Sequence, residues 1–145
     1  MQITSKFTVA IHTLLAIHFF GNEVKTTSEF IASSVNVNPV VIRRTLQSLK
    51  KAGLVDVKAG SGGAIIKKDL KEITLYDVYM AMECLEGGLF HFHENPNALC
   101  PVGKNIHTLL DEHLSNAQAA MEYELKTVTL ADLKDNLNDV LNKEK

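Results

Sequence analysis

Arg43, Arg44, Gln47 and Lys51 follow one another at steps of one, three and four residues, the spacing that gathers side chains on one face of a helix. Their chemistry is that of donors to nucleic acid. A guanidinium fork matches guanine O6 and N7, a glutamine amide matches adenine, and a lysine ammonium meets phosphate. Val40 and Val41, just ahead of them, can meet thymine methyl groups. The plain alternatives are a surface salt bridge for Arg43 and, for Lys51, a solvated helix end favoured by the helix dipole.

A second group, His91, His93 and Cys100, holds imidazole and thiolate donors that zinc or iron accepts. Its spacing is loose and it is one ligand short, so a polar loop running into a helix start is the simpler reading. Cys100, just before Pro101, can have its thiolate favoured by a helix N-terminus, which makes it a candidate reversible thiol sensor. The carboxylates Glu83, Glu86, Asp111 and Glu112 fall where exposed helix charge falls, and the glycines match no phosphate-binding pattern. No catalytic constellation emerges, so neither an enzyme nor a bound metal or cofactor is expected.

The elements that must hold these groups can be read from periodicity and caps. Phe7, Ile11, Leu14 and Ile17 trace a helix from Ser5 to Phe20, followed by Gly21 where a left-handed cap would sit. Thr26 and Glu29 have the spacing of a capping box for a short second helix, about 27–34. After the tight link Val35-Asn36-Val37, Asn38 is an N-cap and Pro39 suits the first helical position. The third helix, 39–52, then buries Ile42, Thr45, Leu46 and Leu49 and turns the arginines outward. Beyond Gly53, β-branched runs on either side of Gly60-Ser61-Gly62-Gly63 predict a hairpin over 54–67, with Lys58, Ser61 and Gly62 near its tip. Helix, turn, helix and glycine-tipped hairpin in that order spell a winged helix-turn-helix, a fold that sets its recognition helix in the major groove of DNA. The candidate DNA-binding residues are Asn38, Val40, Val41, Arg43, Arg44, Gln47, Lys51, Lys58, Ser61 and Gly62.

Thr74 and Asp77 open a further helix that ends near Gly87-Gly88, and a loop follows. From Pro101 to Lys126 an apolar stripe through Ile106, Leu109, Leu110, Leu114, Ala117 and Met121 implies a helix longer than one small domain needs to cover its own core. The surplus points to dimerisation. Thr129 and Asp132 cap a last helix, with a frayed end at Lys143-Glu144-Lys145. The expected fold is mainly α with a small β-hairpin wing. Residues 1–83 form the DNA-binding part, and 84–145 a loop and helical arm, within one compact chain.

Net charge is −2, but nine Lys or Arg against three Asp or Glu give 1–68 a charge of +6, whereas six against fourteen give 69–145 a charge of −8. The basic half contains the helix-turn-helix, as an electrostatic footprint for nucleic acid requires. With 46% hydrophobic and 22% charged residues the chain can bury a core, while His18 interrupts its longest apolar stretch well short of a bilayer span. The first residues carry no secretory leader, and Cys84 and Cys100 are two thiols with no disulfide scaffold, so a cytoplasmic protein is expected.

Ser5-Lys6-Phe7, Phe30-Ile31-Ala32, Leu49-Lys50-Lys51-Ala52-Gly53-Leu54-Val55, the glycine wing, Glu72-Ile73-Thr74-Leu75 and Val128-Thr129-Leu130-Ala131-Asp132-Leu133 together resemble the winged-helix regulators that include IscR, NsrR and CymR, the Rrf2 family. The resemblance covers nearly the whole chain. It implies a homodimer, joined through the long helix, that binds a near-palindromic DNA operator and usually represses transcription. Two departures stand out. Where the family's wing commonly reads Arg-Gly-Pro-Gly-Gly-Gly-Tyr, this chain has Ala59-Gly60-Ser61-Gly62-Gly63-Ala64-Ile65, leaving Lys58 as the substitute cation. Members that sense iron-sulfur status carry three cysteines around the region 87–103 and a histidine soon after, whereas this chain has Cys100 there, and Gly103 where the histidine would stand. The usual cluster ligand set is therefore missing. Two other readings stay open: a winged-helix module that binds an acidic protein, and a thiol- or metal-responsive regulator using Cys100, His91 or His93.

Overall fold

The computed structural model describes residues 5–58, 63–82, 90 and 92–144. Its chain runs through α1 (Ser5–Phe20), α2 (Ser28–Val35), α3 (Pro39–Lys51), an antiparallel hairpin of β1 (Val55–Val57) and β2 (Ala64–Ile66), and a single 3₁₀ turn (Leu70–Glu72). It continues through α4 (Leu75–Ala81), α5 (Pro101–Thr127) and α6 (Leu130–Lys143). The mainly helical fold with a small wing is as expected. Ser61, Gly62, Cys84 and His91 lie outside the described residues, and α4, expected to run to near Gly87-Gly88, ends at Ala81 with Met82 as its cap.

The core forms where apolar faces of sequentially distant elements converge. Ala10, Leu14 and Ile17 of α1 meet Ile31 of α2, and Ile42, Leu46 and Leu49 of α3 close over them. Val55 and Ala64 seal the wing base, and Val78 and Tyr79 bring in α4. The Tyr79 ring packs edge-on to Phe7 with centroids 6.0 Å apart. Leu130 and Ala131, at the start of α6, belong to the same core. The return of the chain is fixed by backbone bonds, Leu75 N–H to the Val128 carbonyl at 2.9 Å and Leu130 N–H to the Ile73 carbonyl at 2.8 Å. Two capping boxes, Thr74 with Asp77 and Thr129 with Asp132, stand side by side at this bridge. The end of the long helix is thus tied to the base of the winged unit.

Two local expectations are corrected. The N-cap of α2 is Thr27, whose hydroxyl accepts from Phe30 N–H at 3.2 Å, and not Thr26. Thr26 is buried and donates its hydroxyl to the Ala64 carbonyl at 2.7 Å, while Ala64 N–H returns to the Thr26 carbonyl at 3.0 Å. A tertiary contact thus claims the hydroxyl that local spacing assigned to the cap. Gly21 does not adopt the left-handed conformation expected of it. Glycine is needed there for space, because a Cβ would lie 2.5 Å from the Ile17 carbonyl oxygen.

At the wing base Gly63 has both requirements, with φ at +79° and a Cβ that would lie 2.9 Å from the Thr26 backbone nitrogen. Gly53 has a similar φ of +80° but open space around it. Gly63→Ala is therefore expected to cost about 2 kcal/mol or more of stability and Gly53→Ala about 1 kcal/mol, since only the first adds a backbone clash to left-handed strain. Urea unfolding at fixed protein concentration checks the difference as a shift in midpoint. Equal midpoints for the two variants would remove the close approach from the explanation.

Candidate nucleic-acid interface

The candidate surface is built on α3. Asn38 Oδ1 accepts Val40 N–H at 2.9 Å and Pro39 occupies the first turn, so the helix begins at a fixed residue and its angular register is set. Ile42, Thr45, Leu46 and Leu49 are all buried, the expected stripe. Their burial forces Val40, Arg44, Gln47 and Lys51 to the opposite, exposed side, with Arg43 at its edge. Val40 and Val41 are 42% and 39% exposed, an apolar pair left in solvent directly beside two arginines. That combination suits a surface whose partner supplies both methyl groups and acceptors.

Along the Arg43 edge of α3 lies a groove of about 700 Å³. Its walls are the start of α2 (Thr26 to Glu29), the α3 side chains Arg43, Gln47 and Lys50, and the wing base at Val57, Lys58 and Gly63. Lys58 therefore faces the same groove as α3, with its N–H bonded to the Gly63 carbonyl at 3.0 Å. Lys68 is placed differently, bordering a separate dent with Asp77 and Met80 behind the wing.

Sequence reasoning missed one member of this site. Glu29, assigned locally to a capping box, accepts from Arg43 Nη2 at 2.9 Å across the angle between α2 and α3. Its carboxyl is held below its ordinary pKa, first by its own backbone N–H at the start of α2 and then by the Arg43 guanidinium. Among the described residues Arg44 forms no ion pair. The partner of Arg43 is fourteen residues away, and only the crossing of two helices brings the pair together.

The other candidates lie on or near α5. No residue of α5 is buried within the chain, and Leu109 is 59% exposed. Ile106, Leu110 and Leu114 are half-buried, Ala117 is exposed, and Met121 packs against the chain's own core. Phe92 stacks on His107 with centroids 4.1 Å apart, while the exposed His93 lies edge-on to the same ring at 6.4 Å. Cys100 is the N-cap residue of α5 and makes no side-chain cap bond, but the Gly103 and Val102 N–H groups face its sulfur and lower its pKa. Alkylation of Cys100 by iodoacetamide should therefore show a pH–rate midpoint below that of a free cysteine. A midpoint at or above the free-thiol value would contradict it.

The described residues do not fit an iron-sulfur cluster. No group of three or more His, Cys, Asp or Glu among them is placed to hold a metal ion. Position 103 has no room for a histidine, because a Cβ there would meet the Asn97 carbonyl oxygen at 2.3 Å. Among the described residues no helix is long and apolar enough to cross a membrane.

Known proteins share this architecture. The profile of the Rrf2 family, described as "Iron-dependent Transcriptional regulator", matches residues 3–136. YwnA of Bacillus subtilis (strain 168), named as an HTH-type transcriptional regulator, is 48% identical over 136 residues, spanning 94% of this chain and 99% of that protein. A crystal structure of a protein named as DNA-binding superposes with a TM-score of 0.70 at 43% identity, covering 88% of this chain and 97% of that one. A protein from Lactobacillus plantarum named as a transcriptional regulator superposes with a TM-score of 0.78 at 26% identity, covering 92% and 90%. With the winged helix, the capped α3 and the long α5 in place, the chain belongs to the Rrf2 family of transcriptional regulators.

Proposed function

We propose that this chain is a homodimeric, cytoplasmic repressor that binds a near-palindromic DNA operator, reading bases with α3 and steadying itself with the wing. The observation that carries the reading is the two-sided character of α3: one stripe wholly buried, the other presenting Val40, Val41, Arg43, Arg44 and Gln47 to solvent. In this reading those five side chains meet base edges, while Asn38, Lys51, Lys58 and the wing tip at Ser61 and Gly62 follow the phosphate backbone. Residues 1–83 supply the DNA-binding part and 84–145 the dimerising arm, with Ile106, Leu109, Leu110, Leu114, Ala117 and Met121 on its apolar stripe. No bound cofactor and no enzymatic step enter the mechanism.

A DNA-binding role predicts a strong salt dependence. If Lys51 and Lys58 of each protomer neutralise phosphates, about four are neutralised per dimer, and log K falls against log salt with a slope of about −4. Fluorescence anisotropy with a duplex selected by the protein from a random library, against a scrambled duplex of equal length, measures both slope and preference. A flat salt response with no preferred duplex would instead favour a protein partner.

A further inference from the structure

The Glu29–Arg43 pair poses a question about sign. A carboxylate on a surface that must approach phosphates is repelled by them, so Glu29 weakens binding unless it does something else there. As a folding contact it contributes little, because both side chains are largely exposed, at 67% and 52%. Its position is nevertheless well defined. Glu29 stands in the first turn of α2, where its own backbone N–H steadies the carboxylate, and it reaches Arg43 on the groove edge of α3.

A guanidinium has five N–H donors. One from Nη2 goes to Glu29 Oε1 at 2.9 Å, and the remaining donors can still fork onto a guanine edge. We propose that Glu29 is a specificity-determining residue that orients Arg43 toward the bases and penalises its retreat to phosphate. On the correct sequence, Arg43 serves guanine and Glu29 together, and the carboxylate keeps its partner. On a wrong sequence, Arg43 gains most by swinging to a phosphate, which leaves Glu29 unpaired in the negative field of the duplex. The carboxylate thus costs non-specific complexes more than specific ones, and selectivity rises without any added contact. This rests on the DNA-reading function proposed above and deepens it.

The test uses the full chain, a duplex selected by the wild type from a random library, and a scrambled duplex of the same length. Affinities of wild type, Glu29→Gln, Arg43→Ala and the double variant are compared at one salt concentration, with thermal melts to check folding. Glu29→Gln should bind the scrambled duplex about tenfold more tightly, change little on the selected one, and so lose about tenfold in selectivity. In the Arg43→Ala background the same substitution should raise both affinities equally and leave the ratio unchanged. Unaltered selectivity in Glu29→Gln overturns the proposal, and so does an equal loss of ratio with Arg43 absent. A wild type that prefers no duplex overturns the DNA-reading function itself, and is recognised without any variant.

Discussion

Replacing Arg43 and Arg44 together with alanine should erase the preference for the selected duplex while leaving the fold and the dimer intact. Both side chains are exposed and neither belongs to the buried stripe of α3, so the melting transition should move little. The loss at the interface is large because each bidentate arginine contributes about 1–3 kcal/mol of discrimination, and two therefore account for a selectivity of about 30-fold to about 10⁴-fold per half-site. The single variants should differ. Arg44→Ala removes a side chain with no ion pair among the described residues, whereas Arg43→Ala also strands the Glu29 carboxylate. Lys51→Ala provides the contrast, weakening both duplexes alike and lowering the salt slope by about 1 for each lysine lost. If the double arginine variant retained wild-type selectivity, α3 would not be the reading element.

The helices were legible where their information is local. α1 ends at Phe20 as its periodicity requires, and α3 starts at Pro39 because Asn38 and Pro39 act within two residues of each other. The paired capping boxes at Thr74 and Thr129 are equally local and were equally readable. Misreadings arose where one residue had two uses. Thr26 and Thr27 can each cap a helix, and the choice falls to a bond between Thr26 and Ala64, thirty-eight residues away. Glycine can serve an unusual φ, a close approach or both, and at Gly21 only the packed helix end shows that it is the approach. The exposed face of α3 followed from burial alone, but the setting of Arg43 depends on the α2–α3 crossing, which no spacing in one helix encodes.

Placing aspartate at Leu110 and Leu114 should convert a dimer into a folded monomer of 16.0 kDa. At 1.5 Å per residue α5 is about 40 Å long, yet none of its residues is buried within its own chain. Met121 and Leu125 already lean on the core, so the C-terminal part of the stripe is partly covered. Ile106, Leu109, Leu110 and Leu114 lie outside that contact and form the patch that a second copy can cover. Each fully buried leucine contributes about 1.5–3 kcal/mol, and a two-fold axis repeats every contact, so two substitutions remove four apolar side chains and set carboxylates against an apolar seam. Sedimentation equilibrium reads the mass directly, and a persistent dimer would move the seam elsewhere. The DNA consequence follows from linkage of the two reading heads. A monomer loses the effective concentration that its partner supplies, so affinity for the full operator should fall by about 10²- to 10⁴-fold. Its preference for one half-site over a scrambled one should survive, because α3 and Arg44 are untouched. Loss of affinity with preference retained is the reverse of the arginine result, and the two variants together separate reading from assembly.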